Sequence, residues 1–542
     1  MAIAPLDEPP TETPERPSQA KRIAGATGIM MAAILASRLL GLVRNAVISH
    51  QLGQKFAADV YYGAFQIPDL LFFLIAGGAL SSSFIPVFTE KITQGKEKEA
   101  WHVFSTVATI MFVVISGFVI AGEIFAVPLT KLVNPGFSPE KVAATVPLTQ
   151  IVLPAQLCFF LGGLLMGVQY SMQKFKTAAL GPVIYNLGII LGGLVLAPFM
   201  GMPGLCWGAL IGAIVGNFSL QLFAVRKLGM QFKISFDYKN KDVVKVWKLM
   251  LPVVLGVALP QVSIWINRAF ASKLGDGPMA ALTNANQLMQ VPLGLFAQAM
   301  AVAIFPTLSA LAAEKKLSEL RSVSSRGIRN LLFLTIPSSV LMVILAVPIV
   351  ELLLQHGKFH ADDTLIAASA LAVYGIGIFA WSAQSILSRS FYALQDTVTP
   401  VVIGTLVTLV FVPLNILFMD TFNMGIQGLA LATTIAATLH MVVMLWVLRV
   451  RLRGFELGQM LTSVGKTVLA SAAAGVACWI AKIAVDSIFH SPGHVKIHAA
   501  LSLIAGFGIG GFVYIAIAVL LKMDELKQAA SMLKRKKRVT PV

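Results

Sequence analysis

The 542-residue chain is 57% hydrophobic and 12% charged with a net charge of +17 and a mean hydropathy of +0.80, whereas a soluble domain carries about 25% charged residues. Those values exclude a soluble globular domain and describe an integral membrane protein, so the positive charge is first a matter of topology and not of nucleic acid. Cys158, Cys206 and Cys478 sit singly in apolar runs, which excludes a disulfide framework or a CxxC metal site.

Residues 1–23 are proline-rich and acidic up to Lys21 and Arg22. They read as a disordered cytoplasmic tail and not a cleaved signal peptide, since no basic segment leads into a short apolar core. Fourteen apolar runs follow, each long enough to cross about 30 Å of hydrocarbon: 25–49, 61–89, 102–129, 146–170, 178–198, 204–224, 249–271, 282–312, 330–354, 365–388, 399–419, 426–448, 467–486 and 499–521. The expected fold is all-α, a polytopic membrane protein of fourteen transmembrane helices. Two six-helix lobes, an N-lobe at 24–229 and a C-lobe at 249–454, flank an interfacial connector at 230–248. Two more helices at 455–522 and a basic tail at 523–542 complete the chain. Asp237 to Lys248 sets Val243, Val244, Val246 and Trp247 among lysines and predicts a helix lying in the interface, and Glu314 to Arg329 predicts another.

Loops after even-numbered runs hold 22 lysines and arginines, and those after odd-numbered runs hold seven. The positive-inside rule then puts both termini in the cytoplasm. The tail Lys534-Arg-Lys-Lys-Arg538 agrees, and suits anionic lipid better than nucleic acid.

The first run carries two arginines. Projected at about 100° per residue, Ser37, Arg38, Gly41, Arg44 and Asn45 share a sector about 120° wide, while Leu39, Leu40, Leu42 and Val43 face elsewhere. A guanidinium near the centre of a bilayer costs roughly 2.5–3.5 kcal/mol, so both must turn toward protein or a water-filled cavity. The second run holds Asp69 near its middle and bends are expected at Pro68 and at Gly77-Gly78; the eighth is expected to bend at Pro292. Glu123 and Glu351 lie toward the outer ends of the third and ninth runs. With Arg38, Arg44 and Arg268 in the interior, its balance is positive and suits an anionic cargo.

Strings recur at an offset near 220: Ala126-Val-Pro128 as Ala346-Val-Pro348, Phe84-Ile-Pro86 as Ile304-Phe-Pro306, and Gln66-Ile-Pro68 as Gln290-Val-Pro292. Six runs per unit give the two lobes one orientation about an axis along the membrane normal. Arg44 maps onto Arg268, beside Asn45 and Asn267 respectively, so the two arginines should face each other across the lobe interface.

Ser37-Arg-Leu-Leu-Gly-Leu-Val-Arg44, Ala58-Asp59, Phe65-Gln-Ile-Pro-Asp-Leu-Leu71, Gly78-Ala-Leu-Ser-Ser-Ser-Phe-Ile-Pro86, Gln355-His-Gly-Lys-Phe359 and Phe391-Tyr-Ala-Leu-Gln-Asp-Thr-Val-Thr-Pro400 together resemble the MurJ/MviN family of lipid II flippases. That family lies within the multidrug/oligosaccharidyl-lipid/polysaccharide exporter superfamily. The resemblance implies translocation of undecaprenyl-diphosphate-linked disaccharide-pentapeptide from the cytoplasmic to the outer leaflet of the bacterial inner membrane, by alternating access, for peptidoglycan synthesis. It implies a transporter; no enzyme, metal or cofactor is expected from the residues either, since the chain shows no phosphate-cradling Gly-rich loop with lysine, no nucleophile motif and no metal-ligand cluster. Coupling to the membrane potential or a monovalent cation stays open. The implied partners are the lipid-linked oligosaccharide and membrane lipids, with cell-wall synthesis proteins as further candidates.

Arginine offers paired N–H donors to phosphate, so Arg38, Arg44, Arg268, Asn45, Asn267, Ser37 and Gly41 are the substrate-binding candidates. Asp59, Asp69 and Gln287 are candidates for counter-ion or gate. Arg38, Arg44 and Asp59 match the family pattern directly. The chain departs from it at Phe72-Phe73 and Gly77, where a further arginine and an acid are expected, and at Asn286-Gln287, where an Asp-Arg pair is expected. Arg268 supplies a replacement charge, and a related polyprenyl-diphosphate glycan stays open as cargo.

A cation-coupled multidrug exporter of the same superfamily is an alternative that the arginine excess disfavours, and a membrane scaffold is another. Structural roles also stay open: Arg38 and Arg44 bonded to helix carbonyls or to Asp69, Arg268 snorkelling to the interface, Asp59 as a helix cap or salt-bridge partner. His490, His494 and His498 have helical metal spacing, but Pro492-Gly493 interrupts it and argues against zinc.

Overall fold

The computed structural model describes residues 19–75, 79–488 and 495–528, and every regular element among them is helical. Residues 1–18, Gly77, Gly78, His490 and His494 lie outside that set. Among the described residues, each of the fourteen expected runs is helical over most of its length. Among the described residues ten helical stretches are long and apolar enough to cross a membrane, eleven when Ala361–Ile376 and Ile378–Ala393, bent by 46°, count as one span.

Proline decides where several of these helices break. The second run divides into Phe56–Ala64, Gln66–Ile75 and Ala79–Thr93, with the first break at Phe65, three residues before Pro68. The third and ninth runs, expected to reach 129 and 354, stop at Ile124 and Ile344. Short helices Ala126–Val133 and Ala346–Leu354 follow, so Phe125 and Leu345 again stand three residues before a proline, Pro128 or Pro348. A proline ring crowds the carbonyl four residues back and has no N–H to give it, so the helix turns aside there. At Pro292 the outcome is milder: helix Pro278–Pro292 passes into a π-helical stretch, Leu293–Gln298. Comparable π stretches, Gly192–Leu196 and Leu417–Thr421, occupy matching places in the fifth and eleventh runs.

The connector corrects one expectation. No separate interfacial helix covers Asp237–Lys248: the Asn240 side chain accepts from the Asp242 and Val243 amides at 2.9 and 3.4 Å and caps a helix, Lys241–Ala271, that continues through the seventh run. Residues before it form an extended strap. Likewise most of Glu314–Arg329 forms the first turns of Leu317–Ile344.

The fifth and sixth runs meet backbone against backbone. A Cβ on Gly188 would stand 2.6 Å from the Gly208 carbonyl oxygen, and one on Gly192 2.6 Å from that of Gly204, the small-residue contact that lets membrane helices approach closely.

The largest core crosses from lobe to lobe at the end of the bundle where helix Gln19–Leu52 finishes and helix Pro278–Pro292 begins, here the distal end, where Tyr61 and Phe137 join Met279, Leu282, Leu354 and Phe359. A second core, with Phe84, Phe88, Trp101 and Phe104, lies in the N-lobe and takes in Val243 and Val246 of the seventh-run helix, with Trp247 and Met250 packed against it. The lobes are knitted together at the distal end and again where the seventh-run helix packs on Gln66–Ile75 and Ala79–Thr93 of the second run.

Candidate functional site

Arg44 projects from helix Gln19–Leu52 toward the fifth run. Its Nη1 donates to Asn186 Oδ1 at 3.1 Å, while Nε and Nη2 donate to Asn45 Oδ1 at 3.3 and 3.2 Å. Asn186 is fixed from behind, with Nδ2 donating to Ser37 Oγ at 3.2 Å and to the Pro182 carbonyl at 3.0 Å. Two neutral amides thus aim the guanidinium, and among the described residues no carboxylate forms an ion pair with it. An arriving anion meets a guanidinium whose direct partners are neutral amides, which suits the paired oxygens of a phosphate. One turn back on the same face, a Cβ built on Gly41 meets no atom within 4 Å, so the surface between the two arginines is open.

Arg38 is exposed and forms no ion pair among the described residues. Its Nη1 rests on Gly294, in the π-helical stretch after Pro292, and any side chain at 294 would overlap it. The first and eighth helices meet there through a guanidinium laid on a glycine.

Arg268 does not mirror Arg44 as an unpaired cation. Its Nη1 lies 3.3 Å from Asp69 Oδ2, so the pair joins the seventh-run helix to the second run, with the two side chains 16% and 39% exposed. Asp69 also lies within Coulombic range of Arg44, and Tyr62 within range of both arginines. The two cations thus gather around one carboxylate. The expectation that Asn267 parallels Asn45 is also corrected: its Nδ2 donates to Tyr374 Oη at 3.0 Å and Thr433 Oγ1 at 3.1 Å, inside the C-lobe. Gln287 Oε1 is buried without a hydrogen-bond partner. Phe72 and Phe73 extend an aromatic wall, Phe72 packing edge-on against Phe159 and Phe159 against Tyr185, beside Asn186.

Asp59 stands apart from the arginines, at the distal end, and is fully buried. Its Oδ2 accepts from the Gly277 amide at 2.7 Å and its Oδ1 from the Ala280 amide at 2.9 Å, capping the eighth-run helix of the other lobe. Lys141 Nζ sits 3.0 Å from the same carboxylate and also reaches Asp276 Oδ1 at 2.8 Å and the Gly275 carbonyl at 3.0 Å. Burial pushes the Asp59 carboxyl above its ordinary value, against the pull of Lys141 and the two amides. Around this pair Gln54 Nε2 donates to the Asp363 carbonyl at 2.8 Å and the Gly136 amide to Ser272 Oγ at 3.0 Å. Gly277 and Gly357 have φ of +107° and +59°, and a Cβ would stand 2.7 Å from the Gln54 carbonyl oxygen at the first and 2.5 Å from that of His50 at the second. The lobes close here along a seam of bare backbone around one buried ion pair.

Sequence reasoning missed Asn186 and Lys141. Asn186 had a signal, as the one amide in the fifth apolar run. Lys141 had none, being one loop lysine among several.

Residues 48–503 match the family model described as Lipid II flippase MurJ. The chain is 32% identical over 429 residues to Lipid II flippase MurJ of Burkholderia cenocepacia, covering 77% of this chain and 82% of that one. It is 28% identical over 528 residues to the probable lipid II flippase MurJ of Vibrio cholerae serotype O1, covering 94% and 98%. A solved structure described as lipid II flippase MurJ in an inward closed conformation is similar in fold, with a TM-score of 0.75 at 24% identity over 90% of this chain and 99% of that chain. An inward-facing multidrug resistance MATE family transporter of the MOP superfamily gives 0.65 at 16% identity over 77% and 94%.

Proposed function

The chain belongs to the lipid II flippase MurJ family, and from that premise we propose that it carries lipid II from the cytoplasmic to the outer leaflet of the bacterial inner membrane by alternating access. As a member of that family it is a transporter and not an enzyme. The observation that carries the substrate assignment is Arg44, an intramembrane cation aimed by Asn45 and Asn186 and left without a carboxylate partner.

In this reading the diphosphate docks on Arg44. Arg38, about 9 Å nearer the cytoplasmic end of the axis at 1.5 Å per residue, meets it first, beside Gly294 of the eighth run, and the polyprenyl tail stays in lipid. The diphosphate then competes with Asp69 for Arg268, and loss of that pair loosens one tie between the lobes. The lysine and arginine census supports the distal end as the outer face, so opening the Asp59–Lys141 seam releases the headgroup outward. Resetting draws on the membrane potential, worth about 2.3 kcal/mol per charge per 100 mV, or on a monovalent cation. An exporter of organic cations would need a free acid here, and Asp69 is tied to Arg268.

The test is a leaflet-resolved assay of labelled lipid II in cells depleted of this protein and supplied with wild type or Arg44→Ala. Two charge-assisted hydrogen bonds to phosphate, at about 1.5–3 kcal/mol each, put the expected loss at a hundredfold or more. Wild-type flipping by Arg44→Ala at normal expression would end the proposal.

A further inference from the structure

A second feature lies on the flank of the N-lobe, outside the path just described. The strap after the sixth run, Met230-Gln-Phe-Lys-Ile-Ser-Phe-Asp-Tyr238, alternates apolar and polar residues, and in an extended chain such residues face opposite ways. Its polar face is fastened to the third-run helix: Ser105 Oγ accepts from the Lys233 amide at 3.2 Å, Thr106 Oγ1 donates to Ser235 Oγ at 2.8 Å, and His102 Nε2 lies 3.1 Å from Asp237 Oδ2. The other face overhangs a cleft of about 540 Å³ walled by Phe104, Leu164 and Leu222, with Arg226 as the one cation lining it. Phe232, Ile234 and Phe236 of that face remain 46%, 77% and 57% exposed.

We propose that this cleft holds a resident anionic phospholipid, one acyl chain filling it and the headgroup phosphate on Arg226. The volume falls within the roughly 300–1,000 Å³ of sites that enclose a ligand. The walls are apolar, so a peptide there would leave its N–H and C=O groups unpaired, whereas an acyl chain has none to satisfy. The strap starts and ends at span ends, Arg226 and Lys241, which puts the cleft mouth at headgroup depth. Arg226 is exposed without an ion pair among the described residues, and Lys227 follows it. A basic pocket between spans at that depth favours an anionic headgroup. Because the strap is the covalent link between the lobes, the lipid pins that link to the N-lobe. None of this depends on which cargo the central path carries.

Native mass spectrometry of the full-length protein in mild detergent tests it, with dioleoyl phosphatidylglycerol, dioleoyl phosphatidylcholine and undecaprenyl phosphate as probes. Phosphatidylglycerol should bind about fivefold more tightly than phosphatidylcholine, the effect of one basic residue near the headgroup. Arg226→Gln should erase that preference, and Ala108→Trp, which fills the cleft, should remove the bound lipid. Unchanged phosphatidylglycerol binding by the Arg226→Gln protein, which alters one exposed side chain, overturns the proposal even if Ala108→Trp fails to fold. Displacement of phosphatidylglycerol from the cleft by undecaprenyl phosphate overturns it too, marking a site for the carrier lipid instead.

Discussion

Removing the Asp59 carboxylate should unlatch the distal seam. Asp59→Ala strips the acceptor from two amides of the opposite lobe and one partner from buried Lys141. Breaking a buried pair costs about 3–5 kcal/mol. Lys141 keeps Asp276 and the Gly275 carbonyl, which puts the cost at the lower end, about 3 kcal/mol, or a little over a hundredfold in population. A seam closed 99 to 1 would then fall to about even. Asn284 reports the change: it is buried behind the seam, accepting from Tyr62 Oη at 3.1 Å. With Cys158, Cys206 and Cys478 replaced by serine, an Asn284→Cys reporter in intact cells should react with a membrane-impermeant maleimide about fiftyfold faster when Asp59→Ala is added, as the open fraction rises from about 1% to about half. An unchanged labelling rate in well-expressed protein would refute the latch.

Two other outcomes follow, one from the Arg268–Asp69 pair and one from a carboxylate past the ninth span. Arg268→Gln leaves Asp69 without its partner, so adding Asp69→Asn should recover stability, with a coupling of about 0.5–3 kcal/mol in a thermal-melt double-mutant cycle; simple additivity would show that the contact does not matter. Glu351, on the short helix past the ninth span, faces Lys482, Asp486 and His498. Burial pushes its carboxyl above the ordinary value of 4.5, and the nearby Lys482 only partly offsets this. A raised carboxyl favours the folded state at low pH and loses that contribution as pH rises through the folded value. Glu351→Gln should therefore melt like wild type at acid pH and at a higher temperature at pH 8, and equal melting at both would show the burial to be harmless.

The fourteen helical runs were legible because a bilayer demands long apolar stretches whatever their partners. The breaks at Phe125 and Leu345 were legible in principle, since Pro128 and Pro348 stand three residues on, but a hydropathy average runs straight over them. Arg38, Arg44 and Gly41 were placed on one face by periodicity alone. What the sequence hid was partnership across distance. Nothing local links Asp59 to Lys141, 82 residues on, or to the amides of Gly277 and Ala280. The symmetry that matched Arg44 with Arg268 does not extend to their surroundings. Asn45 and Asn267 lie on opposite sides of their arginines in sequence, so one amide supports its arginine while the other turns into the lobe core.

The glycines where the fifth and sixth helices touch have a mechanical consequence. With carbonyl oxygens lodged against α-carbons, no side chain is left to roll or re-seat, so sliding one helix along the other would drive backbone into backbone. The eleventh and twelfth helices carry a looser version: a Cβ on Gly428 would stand 3.0 Å from the Phe418 backbone, and one on Gly404 would meet only the His440 ring, at 3.4 Å. The first half of the molecule therefore holds this pair of helices more rigidly than the second half holds its counterpart.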